Sequence, residues 1–239
     1  MQNNIYFVSF GGDELNYLEA VERICNQARS FNIFKEIYKY TDKELKNDKE
    51  FWSKHGEFIS NNHRGYGYWL WKSYIIKITL EKINNDDILL YCDSGCELDI
   101  KNVNNFNILL EKTNKKLIIG THSTSNDILF TKMDIIKYFN MENDNKLKDD
   151  HMQATTLMMK KCDVITSLIN EWYNICSNNY HLIDDSPSVE KNNDNFVDNR
   201  HDQSIYNLLV KKYNLHNYDM SINNSPVVTN RNRTGTSLL

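Results

Sequence analysis

Asp93 stops the apolar stretch of the run Asp87-Ile-Leu-Leu-Tyr-Cys-Asp-Ser-Gly, which gives way abruptly to a carboxylate and a glycine. Such a stretch suits a strand buried on both faces, as in a parallel sheet covered by helices. Ligands of open α/β sheets bind just beyond the carboxyl ends of the strands. Asp93 is thus placed to hold a divalent cation (Mn2+ or Mg2+) or to face a charged ligand, with Ser94 and Gly95 beside it. The alternative is a turn Asp capping a backbone amide. In an extended chain Asp93, Gly95 and Glu97 share one face, which makes Glu97 a candidate second ligand.

Upstream, Arg64 to Lys72 packs four aromatics, two glycines, an Arg and a Lys into nine residues. Arg64 can bind phosphate oxygens as a fork and Lys72 as a point charge, with Tyr68 and Trp71 as walls. These residues equally suit surface cations lying on core aromatics. Gly11 and Gly12 follow the first strand, as ligand loop or plain turn. Arg200-His201-Asp202-Gln203 crowds four polar groups at the start of the last helix, more than an N-cap needs. Asp149-Asp150-His151 precedes another apolar segment, where Asp150 is either a cap or a general base. Arg231 and Arg233 lie in a tail that folds over an anionic leaving group or stays loose.

The elements that must position these groups read as α/β. Ile5–Phe10 is a strand, Glu14–Arg29 an amphipathic helix and Ile33–Tyr40 a second strand, a βαβ unit. Thr41 or Asp42 caps a polar helix. Trp69–Ile83 is helical and feeds the strand Ile88–Tyr91. Leu117–Gly120 reads as a strand, Ile128–Phe130 as a further short one, and Asp134–Phe139 as a helix. Met152–Cys162 and Val164–Cys176 are apolar at helical or mixed period. Asp184–Asn199 is an acidic, asparagine-rich loop, and Ser204–Tyr213 a final helix.

With 239 residues, 40% apolar and 12% aromatic, the chain suits one domain with a sizeable core. A net charge of -4 gives no basic footprint for nucleic acid. No run approaches the ~20 apolar residues of a membrane span, and the N-terminus lacks the basic region of a signal peptide. Five cysteines with no metal-like spacing point to free thiols in a reducing, cytoplasmic setting. The GxGxxG pattern of a dinucleotide site is absent.

RGYGYWLWKSYII followed by DDILLYCDSGCEL resembles a group of small GT-A glycosyltransferases from bacterial polysaccharide clusters and large DNA viruses. Phe130-Thr-Lys-Met-Asp134, Gln153, Glu171-Trp172 and Arg200-His-Asp-Gln-Ser204 continue the likeness in order, over nearly the whole chain. It implies a single GT-A-like domain over 1–239. The central sheet would be mostly parallel and flanked by helices, with a Rossmann-like nucleotide-binding half (about 1–100) and an acceptor half (about 101–239). The implied substrates are a UDP-, GDP- or dTDP-sugar and a glycan acceptor, in the host cytoplasm if the chain is viral. Asp93 would be the first Asp of the metal- and diphosphate-binding motif, whose second carboxylate is here Gly95. Ser73 stands where proline is usual. His201 would be a second metal ligand, and Asp202 and Gln203, with Asn207, would lie near the acceptor. Arg64, Tyr68, Trp71, Lys72, Ser94, Gly95, Gly11 and Gly12 would line the donor. Asp150 would be the base of an inverting enzyme, whereas a retaining one would place Gln203 or Asp202 beside the anomeric carbon. A sugar nucleotidyltransferase and a non-catalytic carbohydrate-binding module are the rival readings. The first would need a basic N-terminal loop that Gly11-Gly12-Asp13 lacks, and the second leaves the strand ending in Asp93 unexplained.

Overall fold

The computed structural model describes residues 3–217 and 219–239. The chain begins with β1 (Ile5–Gly11), α1 (Leu15–Phe31) and β2 (Glu36–Thr41). β1 and β2 run parallel from Tyr6 opposite Glu36 to Gly11 opposite Thr41, which is the expected βαβ unit. Thr41 caps α2 (Asp42–Asn47): its hydroxyl accepts from the Lys43 N–H while Glu44 returns to the Thr41 N–H. α3 (Lys49–Asn61) follows at once, and the Asp48 carboxylate accepts from the Phe51 N–H at its start. A short turn, α4 (Gly65–Tyr68), leads into α5 (Leu70–Lys82) and the wholly buried β3 (Ile88–Cys92). β3 lies parallel to β1, with Ile5 opposite Ile88 and Val8 opposite Tyr91.

Beyond β3 come β4 (Glu97–Leu98), α6 (Phe106–Lys116), β5 (Ile118–Asn126), α7 (Asp127–Phe130) and α8 (Met133–Tyr138). β6 (Asp150–Lys160), α9 (Asp163–Asn178), α10 (Tyr180–Ile183), α11 (Asp202–Lys212) and β7 (Val227–Val228) complete the chain. The main sheet has the order β2-β1-β3-β6-β5. It is a single α/β domain with a mixed sheet. The parallel arrangement read from the sequence covers β2, β1 and β3, whereas β6 is antiparallel to both β3 and β5.

β6 departs from the helical or mixed period of Met152–Cys162 because most of it is buried on both faces between two strands. Burial on both sides removes the polar alternation that marks a strand. Ile128–Phe130, read as a strand, is part of the helical turn α7, whose start is capped by the Asn126 side chain accepting from the Leu129 N–H. Neighbouring strand residues point to opposite faces. Tyr6, Val8, Leu89, Tyr91 and Leu157 pack under α5, α9 and α11, and Phe7, Leu90, Cys92 and Met158 pack under α1 and α6. All five cysteines are free. Among the described residues no helix is long and apolar enough to cross a membrane.

A buried ionic network joins α11 to the far half of the sheet. Lys211 Nζ lies 2.6 Å from Asp127 Oδ2 and donates to the Asp149 carbonyl at 3.0 Å. His151 Nδ1 is 3.1 Å from Asp127 Oδ1, and the Asn207 amide donates to the same carboxylate. Burial disfavours the Asp127 charge, but His151 and Lys211 outweigh it and hold the carboxyl below its ordinary range. Removing one partner leaves a charge stranded away from water. Lys211→Met should therefore destabilise the fold by about 3–5 kcal/mol, read as a shift in the urea midpoint. A loss below about 1 kcal/mol would show that the network contributes little to α11 docking.

Candidate active site

The C-terminal ends of β1 and β3 lie side by side, tied by the Ser9 hydroxyl donating to the Cys92 carbonyl at 2.8 Å. Asp93 follows β3 at that edge, and its N–H donates to the Thr155 carbonyl of β6 at 2.8 Å. Lys72, in the first turn of α5, reaches it from one face. Its ammonium is 3.1 Å from Asp93 Oδ1 and 3.8 Å from Asp202 Oδ2, and donates to the Ala154 carbonyl at 3.2 Å. The Lys72 and Asp202 side chains are 5% and 4% exposed, against 29% for Asp93. The Tyr91 hydroxyl also donates to Asp93 Oδ1, which leaves Oδ2 of that carboxylate free of protein hydrogen bonds among the described residues.

The electrostatics of this trio follow from burial. Desolvation opposes the Lys72 charge, yet the Asp93 and Asp202 carboxylates outweigh it and raise its pKa. Asp202 moves the other way. Burial is the largest influence, Lys72 offsets part of it, Asp93 adds repulsion, and the carboxyl is raised to about 7. Two carboxyls beside one ammonium divide the roles, with Asp202 the one poised to exchange a proton near neutrality. Asp202 opens α11, where the buried Trp172 indole donates to its carbonyl at 2.9 Å.

The GYGYW segment is built for this placement. Gly65, Tyr66, Gly67, Tyr68 and Trp69 all have positive φ, between 51° and 82°. A left-handed turn costs roughly 1–2 kcal/mol for each residue bearing a Cβ. A Cβ at Gly67 would sit 2.7 Å from Ile59 Cγ1, and one at Gly65 would meet the Trp69 ring at 2.5 Å. The Trp71 indole donates to the Gly65 carbonyl at 2.9 Å and stacks on Phe10 with centroids 3.9 Å apart. Trp71 is therefore a core wall that aims the start of α5. His201, the N-cap of α11, is strained as well, at φ 57° and ψ -127°.

Other expected residues are placed differently. Gly11 packs against α1, where an added Cβ would lie 2.5 Å from the Tyr17 carbonyl, while Gly12 has ordinary clearance to Tyr66. The chain turns after Asp93, with the Cys96 N–H donating to the Asp93 carbonyl at 2.9 Å. That turn breaks the extended alternation and sends Glu97 into the interior. There it accepts from Asn230, the Ser237 hydroxyl and the Leu238 N–H, so it is not a second ligand beside Asp93. The tail is folded: β7 pairs with β4, and the Asn232 N–H donates to the Gly95 carbonyl at 2.8 Å. The buried Arg23 guanidinium binds four carbonyls, of Ser94 and Cys96 in the loop and of Asn232 and Thr234 in the tail. Arg231 and Arg233 are exposed along this strap, Arg233 lying 5.7 Å from the centroid of the Tyr17 ring. Arg23 carries no sequence signal of this role, since its partners are backbone carbonyls far along the chain.

Asp150 is exposed at the N-terminal end of β6, which runs on past the C-terminal edge of β3, four residues before Ala154 and therefore roughly 13 Å along the strand. It is not brought to the Lys72 cluster. Gln203 and Asn207 fix α11 on β6, their side-chain oxygens accepting from the Ala154 N–H at 3.0 Å and the Met152 N–H at 2.8 Å. Arg64 pairs with Asp185 at 2.6 Å and Asp198 at 3.8 Å, the Tyr68 hydroxyl donates to Asp185, and neither is drawn to Asp93. His201 stacks on Tyr68 and lies tilted against Trp69, with Nδ1 against the Ile183 carbonyl at 2.6 Å. The expected metal pair of Asp93 and His201 is thus not assembled. Among the described residues no group of three His, Cys, Asp or Glu side chains could hold a metal ion. Lys72 already occupies the Asp93 oxygen facing the interior, so the protein groups present do not fit a resident cation.

No protein-family model matches the chain, and no curated protein matches it in sequence. Its fold is similar to a glycosyltransferase involved in glycosylation of the major capsid of PBCV-1, at a TM-score of 0.43 and 12% identity over 74% of this chain and 68% of that one. It is also similar to apo mouse xyloside xylosyltransferase 1, at a TM-score of 0.40 and 9% identity over 89% of this chain and 83% of that one. Likenesses this distant set no residue-by-residue correspondence.

The Asp202 shift has a thermodynamic consequence. The folded carboxyl keeps its proton to about pH 7, whereas an unfolded one releases it near 3.8. Between those values the folded state binds more protons, so this group's contribution to stability falls as pH rises through that window. Asp202→Asn should flatten the slope of urea-unfolding stability between about pH 4 and 7. An unchanged slope would rule out Asp202 as the titrating group.

Proposed function

We propose that the protein is a glycosyltransferase that moves a sugar from a nucleoside-diphosphate donor to a glycan hydroxyl. The observation that supports this best is the Lys72–Asp93–Asp202 trio at the C-terminal edge of the parallel strands β1 and β3. That edge is where open α/β sheets bind ligands. The RGYGYWLWK and YCDSG motifs that resemble the glycosyltransferases supply two of its three members.

Asp93 presents an open carboxylate oxygen to the donor, and Lys72 and Tyr91 lock its orientation from behind. A fixed carboxylate of this kind favours the positive charge that develops on the sugar ring and not the negative charge of the leaving diphosphate, so its open oxygen is aimed at the sugar of the donor. Asp202, with a pKa of about 7 and its carboxyl 3.8 Å from the Lys72 ammonium, is matched to accepting a proton from an attacking hydroxyl at neutral pH. It takes the base role that the sequence alone assigned to Asp150. Gln203 holds the first turn of α11 in place and keeps its side-chain N–H groups for substrate. No step is routed through a divalent cation.

The panel that tests this comprises UDP-, GDP- and dTDP-sugars, with donor hydrolysis and transfer followed by NMR, which also reports the product anomer. Asp93→Asn should reduce both activities at least a hundredfold. Because it removes the nearest charged partner of buried Lys72, it should also lower the thermal midpoint. Activity is therefore read well below that midpoint, on protein whose circular dichroism matches the wild type. Near-wild-type turnover in that variant would remove Asp93 from the site. Adding EDTA or Mn2+ tests the cation separately, and the expected result is little change in hydrolysis.

A further inference from the structure

One charge of the proposed reaction has no partner in the trio. A diphosphate that leaves a sugar gathers negative charge, and Asp93 and Asp202 repel it. A divalent cation can neutralise such a group, but the described protein groups around Asp93 do not fit a resident one. The described cations around the trio are engaged elsewhere. Lys72 lies between Asp93 and Asp202, and Arg64 pairs with Asp185 and Asp198. Arg200 lies over the Phe130 ring, and Arg23 is buried against four backbone carbonyls.

Arg231 differs from all of these. It is exposed, and its side chain makes no hydrogen bond or ion pair among the described residues. Its backbone lies directly on the loop that follows Asp93. A Cβ at Gly95 would meet the Arg231 Cα at 3.4 Å and its carbonyl carbon at 3.6 Å. The next N–H, of Asn232, donates to the Gly95 carbonyl at 2.8 Å. Gly95 is two residues from Asp93, at most about 7 Å along the chain. The tail therefore fills the space that a side chain at position 95 would take, and the residue it brings there is a cation.

This placement is held from within. The Arg23 guanidinium binds the Ser94 and Cys96 carbonyls of the loop together with the Asn232 and Thr234 carbonyls of the tail. Glu97, buried and 3.9 Å from Arg23, accepts from Asn230, the Ser237 hydroxyl and the Leu238 N–H. Asn232 is buried between Arg231 and Arg233, which both face solvent. Arg231 has φ 55°, a conformation that costs roughly 1–2 kcal/mol for a residue with a Cβ. Glycine would adopt it freely, and no described contact of the arginine side chain offsets the difference. Arg233 lies 5.7 Å from the Tyr17 ring centroid, and the Tyr17 carbonyl packs on Gly11 at the end of β1. The two arginines thus span the loops after β3 and β1, the edge at which open α/β sheets take ligands.

We propose that Arg231 is the cation that binds the diphosphate of the donor in place of a divalent metal, with Arg233 adding positive charge on the β1 side. The assignment rests on the glycosyltransferase reading above. A guanidinium offers phosphate oxygens two parallel N–H groups. As the bond from the sugar to the diphosphate oxygen breaks, its electron pair stays on that oxygen and Arg231 offsets the added charge. Asp93 then serves the sugar and Arg231 the leaving group.

The test measures binding to the full chain, so that it does not depend on turnover. UDP, GDP, dTDP and inorganic pyrophosphate are titrated by calorimetry in EDTA and again with Mn2+. The diphosphates should bind in EDTA, and Arg231→Gln should weaken them about tenfold, with Arg231→Lys recovering part of the loss. Arg231→Gln removes no protein contact among the described residues, so its thermal midpoint should match the wild type. Unchanged diphosphate affinity in Arg231→Gln, or binding seen only with Mn2+, would overturn the assignment. Pyrophosphate binding that depends on Arg231, with no tighter binding of any of the three nucleotides, would keep the anion site and overturn the nucleotide-donor reading instead. Failure of all four probes to bind would overturn both.

Discussion

The Lys72 ammonium is the interaction on which the site depends. Taking an ammonium out of water costs several kcal/mol, and it stays charged only where well-placed partners surround it. Here those partners come from three directions: Asp93 after β3, Asp202 at the start of α11, and the Ala154 carbonyl of β6. Lys72 itself projects from α5. One buried charge thus fixes the relative position of two strands and two helices. It also bears on the protonation of the site, because burial raises the Asp202 carboxyl to about 7 and the Lys72 ammonium offsets part of that shift.

Holding that charge in place requires backbone conformations that the chain would not adopt alone. The left-handed run from Gly65 to Trp69 and the strained His201 stand immediately before the two helices that carry Lys72 and Asp202. Their cost is met by contacts that over-determine each turn, namely the Trp71 indole on the Gly65 carbonyl and the Trp172 indole on the Asp202 carbonyl. A second buried ion pair, Lys211 with Asp127, secures the other end of α11. With both ends of the helix pinned, Asp202 has little freedom to leave Lys72. The loop after Asp93 is constrained in the same manner, where Arg23 ties the Ser94 and Cys96 carbonyls to the C-terminal tail.

Much of this was legible in the amino-acid sequence, and the limits are physical. Local patterns marked the βαβ unit, the capped start of α2, the strand that ends at Asp93 and the helix that carries Lys72, because hydrophobic period and cap chemistry act over a few residues. Three elements resisted. β6 is buried on both faces, which erases its alternation. The GYGYW turn follows from glycines whose neighbours, Ile59 and Trp69, are defined only once α3 and α5 pack. The antiparallel half of the sheet depends on long-range pairing that no local window contains.

For the site, the sequence by itself determined that Lys72, Asp93 and Asp202 are chemically apt, and that Asp93 sits at a strand end. Only the tertiary structure decided that these three meet, and that Asp150 sits elsewhere. It also turned Glu97 toward the tail, gave Arg64 and Tyr68 to Asp185, and stacked His201 on Tyr68. The reason is that burial and neighbouring charge, not residue type, govern what an ionisable group does. Both arise from residues 20 to 130 positions apart, brought together by the packing of helices on the sheet.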